Sequence, residues 1–162
     1  MKNEAYITDD GKKIFRDRSV GVVMVAVILI NNVLHVLCNK RGKRTSEAAL
    51  LWNLPSGYLD WDETGEQAAI RETYEECGIQ IPIDLVKEVE HSTSPSENRQ
   101  NIIFRYFAQL PSEFANIKFS TEHSEEDEVR DVKWIPVTEL DNYEFAWKQK
   151  ETILRIISKH HL

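Results

Sequence analysis

The segment Gly57 to Ile79, GYLDWDETGEQAAIRETYEECGI, gathers Asp60, Asp62, Glu63, Glu66, Glu72, Glu75 and Glu76 around one arginine, Arg71. Like charges one helical turn apart repel, so such a run needs a compensating partner. Three chemistries compete to supply it. Asp60, Asp62 and Thr64 at spacing two, followed by Gly65, resemble the opening of a calcium-binding EF-hand loop. The position that should then supply a bidentate glutamate is Arg71, and a cation there removes the match. The second reading is a solvated face. At about 100° per residue, Ala69, Ile70, Thr73, Tyr74 and Cys77 share one side of a helix, with Glu72, Glu75 and Glu76 placed opposite. Against it, exposed helices commonly intersperse Lys or Arg at i+4, whereas Glu72 is followed one turn later by Glu76. The third reading is a metal site. Carboxylates at i, i+3 and i+4 converging on one point offer all-oxygen ligation, which suits Mg²⁺ or Mn²⁺ and, through them, a substrate diphosphate. Arg71 follows Glu63 by eight residues and can pair with it, fixing the helix to the preceding loop.

Gly57, Glu63, Arg71-Glu72, Glu75-Glu76 and Gly78-Ile79 fill every fixed position of the pattern GX₅EX₇REUXEEXGU, where U is apolar. Thr73 alone departs mildly, at a site that is mostly bulky and aliphatic. The segment therefore resembles the Nudix box. LWNLPSG, just before it, is similar to the family's lead-in of an aromatic, Leu-Pro and two glycines. The resemblance covers roughly residues 19–157 and leaves 1–18 as an N-terminal extension. It implies a single-domain α/β fold, the Nudix-type α/β/α sandwich with a mixed β-sheet. It also implies a divalent-metal-dependent hydrolase, using Mg²⁺ (or Mn²⁺), that cleaves the diphosphate linkage of a nucleoside diphosphate derivative. On that resemblance Glu72, Glu75 and Glu76 are metal ligands, and Glu72 or Glu76 also orients the attacking water. The Ser56 carbonyl joins the metal set, although Ser56 stands where the family often has glycine, and Asp62 replaces a glycine before the box glutamate. Glu63 and Arg71 form the supporting ion pair, with Glu63 also able to reach a second metal or a water.

Similar enzymes bring a further catalytic carboxylate from a distant loop about six residues before a tryptophan. In SEEDEVRDVKW that spacing to Trp134 selects Glu128 over Glu125, Glu126 and Asp127. Arg41 resembles a position that contacts substrate phosphate, with Arg16, Arg18 and Arg105 as weaker candidates. Trp52, Trp61, Trp134 and Trp147 could stack a base, although core aromatics are commoner than base-stacking ones. The competing function class is a non-catalytic Nudix nucleotide-sensing or scaffold module, disfavoured because the box carboxylates are all present. An isoprenoid isomerase lacks its signature here, and RNA decapping is made less favourable by the charge. Substrate choice rests with loops 39–50, 91–101 and 111–127, none of which carries a readable motif.

The elements that must hold these residues suit one domain of 162 residues, 41% apolar and 29% charged. A net charge of −7 and a pI near 5.3 argue against non-specific nucleic-acid or anionic-membrane binding. A small phosphorylated, nucleotide-like partner held through cations is compatible with that charge, and a homodimer stays open. The longest apolar run, Val20 to Ile30, is well short of the ~20 residues that span a bilayer. It reads as a buried strand, and the expected location is cytoplasmic. Cys38 and Cys77 lie in apolar segments and read as buried reduced thiols. Polar residues 1–19 carry a turn at Asp9 to Gly11. Asn31-Asn32 should turn Val20–Ile30 back onto Val33–Cys38 as a hairpin. Residues 39–50 read as a basic loop, and Pro55 keeps WNLP extended. A helix should run from Thr64 to Cys77 and stop at Gly78. Strands follow at Leu85–Glu90, Ile102–Leu110 and Val129–Ile135, then a helical turn at Val137–Leu140. Phe145, Ile153, Leu154, Ile156 and Ile157 suggest an amphipathic helix from Glu144 to His160.

Overall fold

The strand β3 (Val20–Ile30) explains the architecture, because its apolar residues divide between two cores. Val22, Met24, Ala26 and Ile28 enter one core, while Val23, Val25 and Val27 enter the other. A strand buried on both faces needs a layer on each side, and period-two alternation supplies both from one run. In this computed structural model, residues 4–7, 9, 13–16, 19–45, 48–93 and 101–161 are described. Arg18, two residues of the expected turn (Asp10 and Gly11) and loop residues 94–100 lie outside them. Of Arg16 only the backbone pairing is described.

Two short strands, β1 (Glu4–Ile7) and β2 (Lys13–Arg16), pair antiparallel as a separate ribbon. The main sheet has seven strands. After β3 come β4 (Val33–Arg41), β5 (Trp52–Asn53), β6 (Ser56–Tyr58), β7 (Lys87–Thr93), β8 (Ile102–Leu110) and β9 (Val129–Pro136). The sheet is mixed: β3 and β8 run parallel, while β3–β4, β3–β6, β4–β5, β4–β9 and β7–β8 are antiparallel. Asn31 (φ 51°) and Asn32 (φ 62°) turn β3 into β4, with Ile30 opposite Val33. Positive φ at both turn positions matches the twist of a tight hairpin, and asparagine tolerates it.

Helix α1 (Gly65–Cys77) covers one face through Ala68, Ala69, Ile70 and Cys77. Helix α2 (Gln149–Lys159) covers the other through Ile153, Ile156 and Ile157. The result is a three-layer α/β/α sandwich around a mixed sheet, in one domain. Both cysteines are free and buried, one in each core.

Three elements differ from their sequence expectation. Strand β4 continues to Arg41, so the basic loop starts later than residue 39. The segment from Ile83 to Leu85 is a 3₁₀ turn, and the next strand runs from Lys87 to Thr93. The C-terminal helix begins at Gln149, not Glu144. Residues 144–146 instead lie along β5, where Trp52 N–H donates to the Glu144 carbonyl and Ala146 N–H to the Trp52 carbonyl, both at 2.8 Å. Leu154, expected on the apolar face, is 44% exposed. No helix among the described residues is long and apolar enough to cross a membrane.

Candidate active site

The phase of α1 is set at both ends. The Gln67 N–H donates to Thr64 Oγ1 at 3.3 Å, and the Thr64 N–H donates to Gln67 Oε1 at 2.8 Å. This capping box satisfies two of the helix's free donors. At the other end Gly78 adopts φ 74° and donates to the Tyr74 carbonyl, closing the helix. With both ends fixed, the direction in which each Cα–Cβ bond leaves the helix is set.

Glu76 points inward. It is 2% exposed, and its Oε2 accepts from the Ser56 N–H at 2.9 Å. This corrects its expected place on the solvated side. At about 100° per residue Glu76 falls within about 20° of Ala69, so the helix that buries Ala69 buries Glu76 too. Burial raises its pKa well above the usual carboxylate range; the Ser56 N–H opposes this, Glu72 and Glu128 add to it, and Arg41 opposes it. Glu72 is likewise raised, first by burial and then by Glu75 and Glu128, with Arg71 opposing. Its carboxylate presses on Gly57, where an added Cβ would lie 2.1 Å from Oε1. Any larger residue there would require the Glu72 carboxylate to swing away from this position.

Arg71 is the hub of the outer layer. Its Nε donates to Glu63 Oε2 at 3.0 Å and its Nη2 to Glu63 Oε1 at 2.7 Å, a two-pronged pair. Nη2 also donates to the Tyr58 carbonyl at 2.9 Å. Nη1 donates to Glu72 at 2.8 Å and to Glu75 at 3.0 Å. Glu63 in turn accepts from the Asp60 N–H at 2.9 Å. The Arg71 hydrogen bonds, foremost, hold the Glu63 carboxyl below its ordinary range.

Glu128 reaches this cluster from across the chain. Its carbonyl accepts from the Gly42 N–H at 2.6 Å, and a Cβ at Gly42 would collide with the Asp127 carbonyl at 1.6 Å. Only glycine lets β4 and the start of β9 approach so closely. Glu128 is half-buried, and its Oε2 accepts from the Glu125 N–H at 3.1 Å. Glu125, Glu126 and Asp127 are exposed. Arg41, one residue before Gly42, pairs with Val129 in the sheet and sets its guanidinium 4.6 Å from the Trp147 ring.

Among the described residues no three His, Cys, Asp or Glu side chains stand as a ready metal-binding group. Arg71 bonds to both Glu72 and Glu75, while Glu76 turns to Ser56. The donor chemistry nonetheless fits a hard divalent cation. The oxygens are carboxylates, and Glu76 is a buried acid whose neighbours Glu72 and Glu128 are also acids.

The NUDIX domain family model matches residues 21–156. The chain belongs to the Nudix family. Its members generally hydrolyse phosphoric anhydrides, typically with divalent metals. The chain is 31% identical to the MutT4 protein of Mycobacterium tuberculosis over 102 residues, 61% of this chain and 38% of MutT4. It thus spans about two-fifths of that relative. The NUDIX domain of Shewanella oneidensis NrtR, solved with ADP ribose, is 21% identical, covers 90% of both chains and has a TM-score of 0.72. A Francisella tularensis bifunctional NMN adenylyltransferase/ADP ribose pyrophosphatase, solved with AMP and a Mn ion, is 24% identical with a TM-score of 0.66. The match covers 90% of this chain and 42% of that one. These structural likenesses concern the Nudix fold.

Trp52 is buried in the second core and Trp134 packs against the first. Trp61 is 92% exposed. Arg105 pairs with Glu90 and Ser92, among groups held by α2. Gly42 and the Tyr58 carbonyl were not singled out from the sequence. A glycine directly after a cation at a strand end was the available signal for the first; a backbone carbonyl leaves none.

Proposed function

We propose that the protein is a divalent-metal-dependent hydrolase cleaving the diphosphate linkage of a nucleoside diphosphate derivative, with residues 19–157 as the catalytic domain and 1–18 as an extension. The observation that carries this reading is the buried Glu76 carboxylate, set beside Glu72 and Glu128 and tied to Ser56. An acid held in that position is unfavourable for the resting fold and favourable for gathering cations. Glu72, Glu75, Glu76 and the Ser56 carbonyl would hold Mg²⁺ or Mn²⁺. When bound, the metal neutralises diphosphate oxygens and lowers the pKa of water.

The chain's own residues do the rest. Arg71 restrains Glu72 and Glu75 and locks α1 to the 58–63 loop through Glu63 and Tyr58. Glu76 or Glu72 orients the attacking water, and Glu128 accepts its proton from the side of β9. Arg41 at the end of β4 neutralises the outer phosphate. A net charge of −7 supports a small ligand over a nucleic acid, in an expected cytoplasmic setting.

The test is a panel of ADP-ribose, ADP-glucose, NADH and diadenosine tetraphosphate with Mg²⁺ or Mn²⁺, scoring phosphate released after phosphatase coupling. Metal-dependent cleavage of at least one compound is expected. A second reading, a nucleotide-sensing module, is favoured by the ADP ribose bound in the NrtR domain. Calorimetric binding of ADP-ribose without turnover of any panel compound would decide for it and against hydrolysis.

A further inference from the structure

The segment leading into α2 takes an unusual course. Trp147 (φ 47°) and Lys148 (φ 59°) both adopt left-handed backbone conformations, which bulky side chains rarely occupy and which persist only where the surroundings enforce them. The surroundings here are explicit. On one side, residues 144–146 are bonded to Trp52 along β5, and Ala146 is buried. On the other, Gln149 is 7% exposed; its N–H donates to the Ala146 carbonyl at 2.9 Å, and its Oε1 accepts from the Leu54 N–H at 3.1 Å. The chain is fastened immediately before and after Trp147, and the left-handed turn brings its ring against Arg41 at 4.6 Å. That spacing is within the range of an attractive cation–π stack, for which tryptophan is the best partner.

Arg41 is worth such a device because its backbone is rooted at the site. Its N–H donates to the Leu51 carbonyl at 3.0 Å, it pairs with Val129, and the next residue is clamped to Glu128. An arginine side chain on a fixed root still has several rotatable bonds, and a ring beneath its guanidinium removes most of that freedom. We infer that Trp147 is a positioning residue: its strained backbone holds the ring that aims Arg41 across the carboxylate cluster for contact with substrate phosphate. This rests on the hydrolase reading above.

Two measurements test it. In the free protein, an Arg41 guanidinium over an indole gives a ring-current-shifted Nε–Hε resonance. Trp147→Leu should return that resonance to the solvent-exposed position, and Trp147→Phe should leave it intermediate. In turnover of the panel compounds, Trp147→Leu should raise KM about three- to tenfold with kcat within about twofold. Trp147→Phe should recover most of the loss. In an Arg41→Met background Trp147→Leu should add less than about twofold, because the two residues act as one unit. The inference is overturned if the Arg41 resonance does not move in Trp147→Leu, or if the two substitutions multiply in full. If the wild type turns over nothing, the hydrolase reading falls, while the resonance still decides whether Trp147 holds Arg41.

Discussion

On the α1 side of the sheet one arginine, Arg71, serves Asp60, Glu63, Glu72 and Glu75 at 2.7 to 3.9 Å. On the α2 side one glutamate, Glu90, serves Arg105, Arg155 and Lys159 at 2.5 to 3.7 Å. The two clusters are mirror images in charge. The Glu90 cluster joins β7 and β8 to α2, and its hub is surrounded by charges of the opposite sign. Those partners, Arg155 first, hold the Glu90 carboxyl down at about 2. The Arg71 cluster has one cation for four acids and sits beside Glu76, which is raised, not lowered. A cluster that only needs to hold two layers together can be saturated, whereas one proposed to take up a cation has to keep negative charge in reserve.

The largest effect is expected where that reserve is deepest. Glu76→Gln should lower turnover by about 10²- to 10⁴-fold and at the same time raise Tm in metal-free buffer by about 2–4 °C. The sign follows from linkage: a carboxyl whose folded pKa lies above its unfolded value binds protons more tightly when folded. Its ionisation therefore erodes stability as pH rises past the ordinary carboxylate range. Glutamine removes that loss. Mg²⁺ should raise the Tm of the wild type more than that of the variant, because ligand binding to the native state stabilises it. A Glu76→Gln protein less stable than wild type in chelator at neutral pH would break the contrast between the two clusters.

Next comes the hub. Arg71→Met strands Glu63, Glu72 and Glu75 and should cost about 2 kcal/mol, less than a fully buried pair because Arg71 is 28% exposed. Arg71→Lys keeps the charge but loses the two-pronged bond to Glu63, and should fall between them. Urea unfolding at neutral pH measures both. If Met is as stable as arginine here, Arg71 is not what tethers the 58–63 loop to α1.

On the opposite face, Glu90→Gln should cost about 1 kcal/mol with kcat unchanged. The expected figure is modest because Arg155 and Lys159 are nearly half exposed, so solvent screens them. The pH signature is sharper than the magnitude. A lowered carboxyl stabilises the fold above its unfolded value, near 4.5, and that contribution is lost as pH falls from there to about 2. The wild type should shed this increment across the window and Glu90→Gln should not. Parallel stability curves from pH 5 to pH 2 would show that the Glu90 network contributes nothing.

How far the sequence foretold this differs by residue. Thr64 and Gly78 marked both ends of α1 because capping is local chemistry. Asn31 and Asn32 marked the hairpin for the same reason. The inward turn of Glu76 was misread from the sequence: acidic character grouped it with Glu72 and Glu75 on the opposite face, although seven residues at about 100° bring it within about 20° of Ala69. The start of α2 was not legible. Residues 144–146 are held by backbone bonds to Trp52, some 90 positions earlier, which no local pattern encodes. The approach of Gly42 to Glu128 and the stack of Trp147 on Arg41 are likewise products of the sheet's pairing. Glu90 drew no notice in the sequence because its partners arrive from β8 and α2.

The smallest effect should come from an exposed ion pair that belongs to neither cluster. Arg44 meets Glu126 at 3.1 Å, with their side chains 68% and 86% exposed. An exposed pair of two flexible side chains is worth under about 0.5 kcal/mol, screened further by salt. Glu126→Ala should therefore leave Tm within about 1 °C and kcat within about twofold. Two positions on, Glu128 is half-buried, clamped through Gly42 and close enough to raise both Glu72 and Glu76. Glu128→Ala should lower kcat by about 10- to 100-fold with little change in stability. Steady-state kinetics on both variants separates position from charge, since each removes one acid from the same loop. If Glu126→Ala proves the more damaging, the acid that completes the cluster is the exposed one, and burial beside Glu76 is not what recruits it.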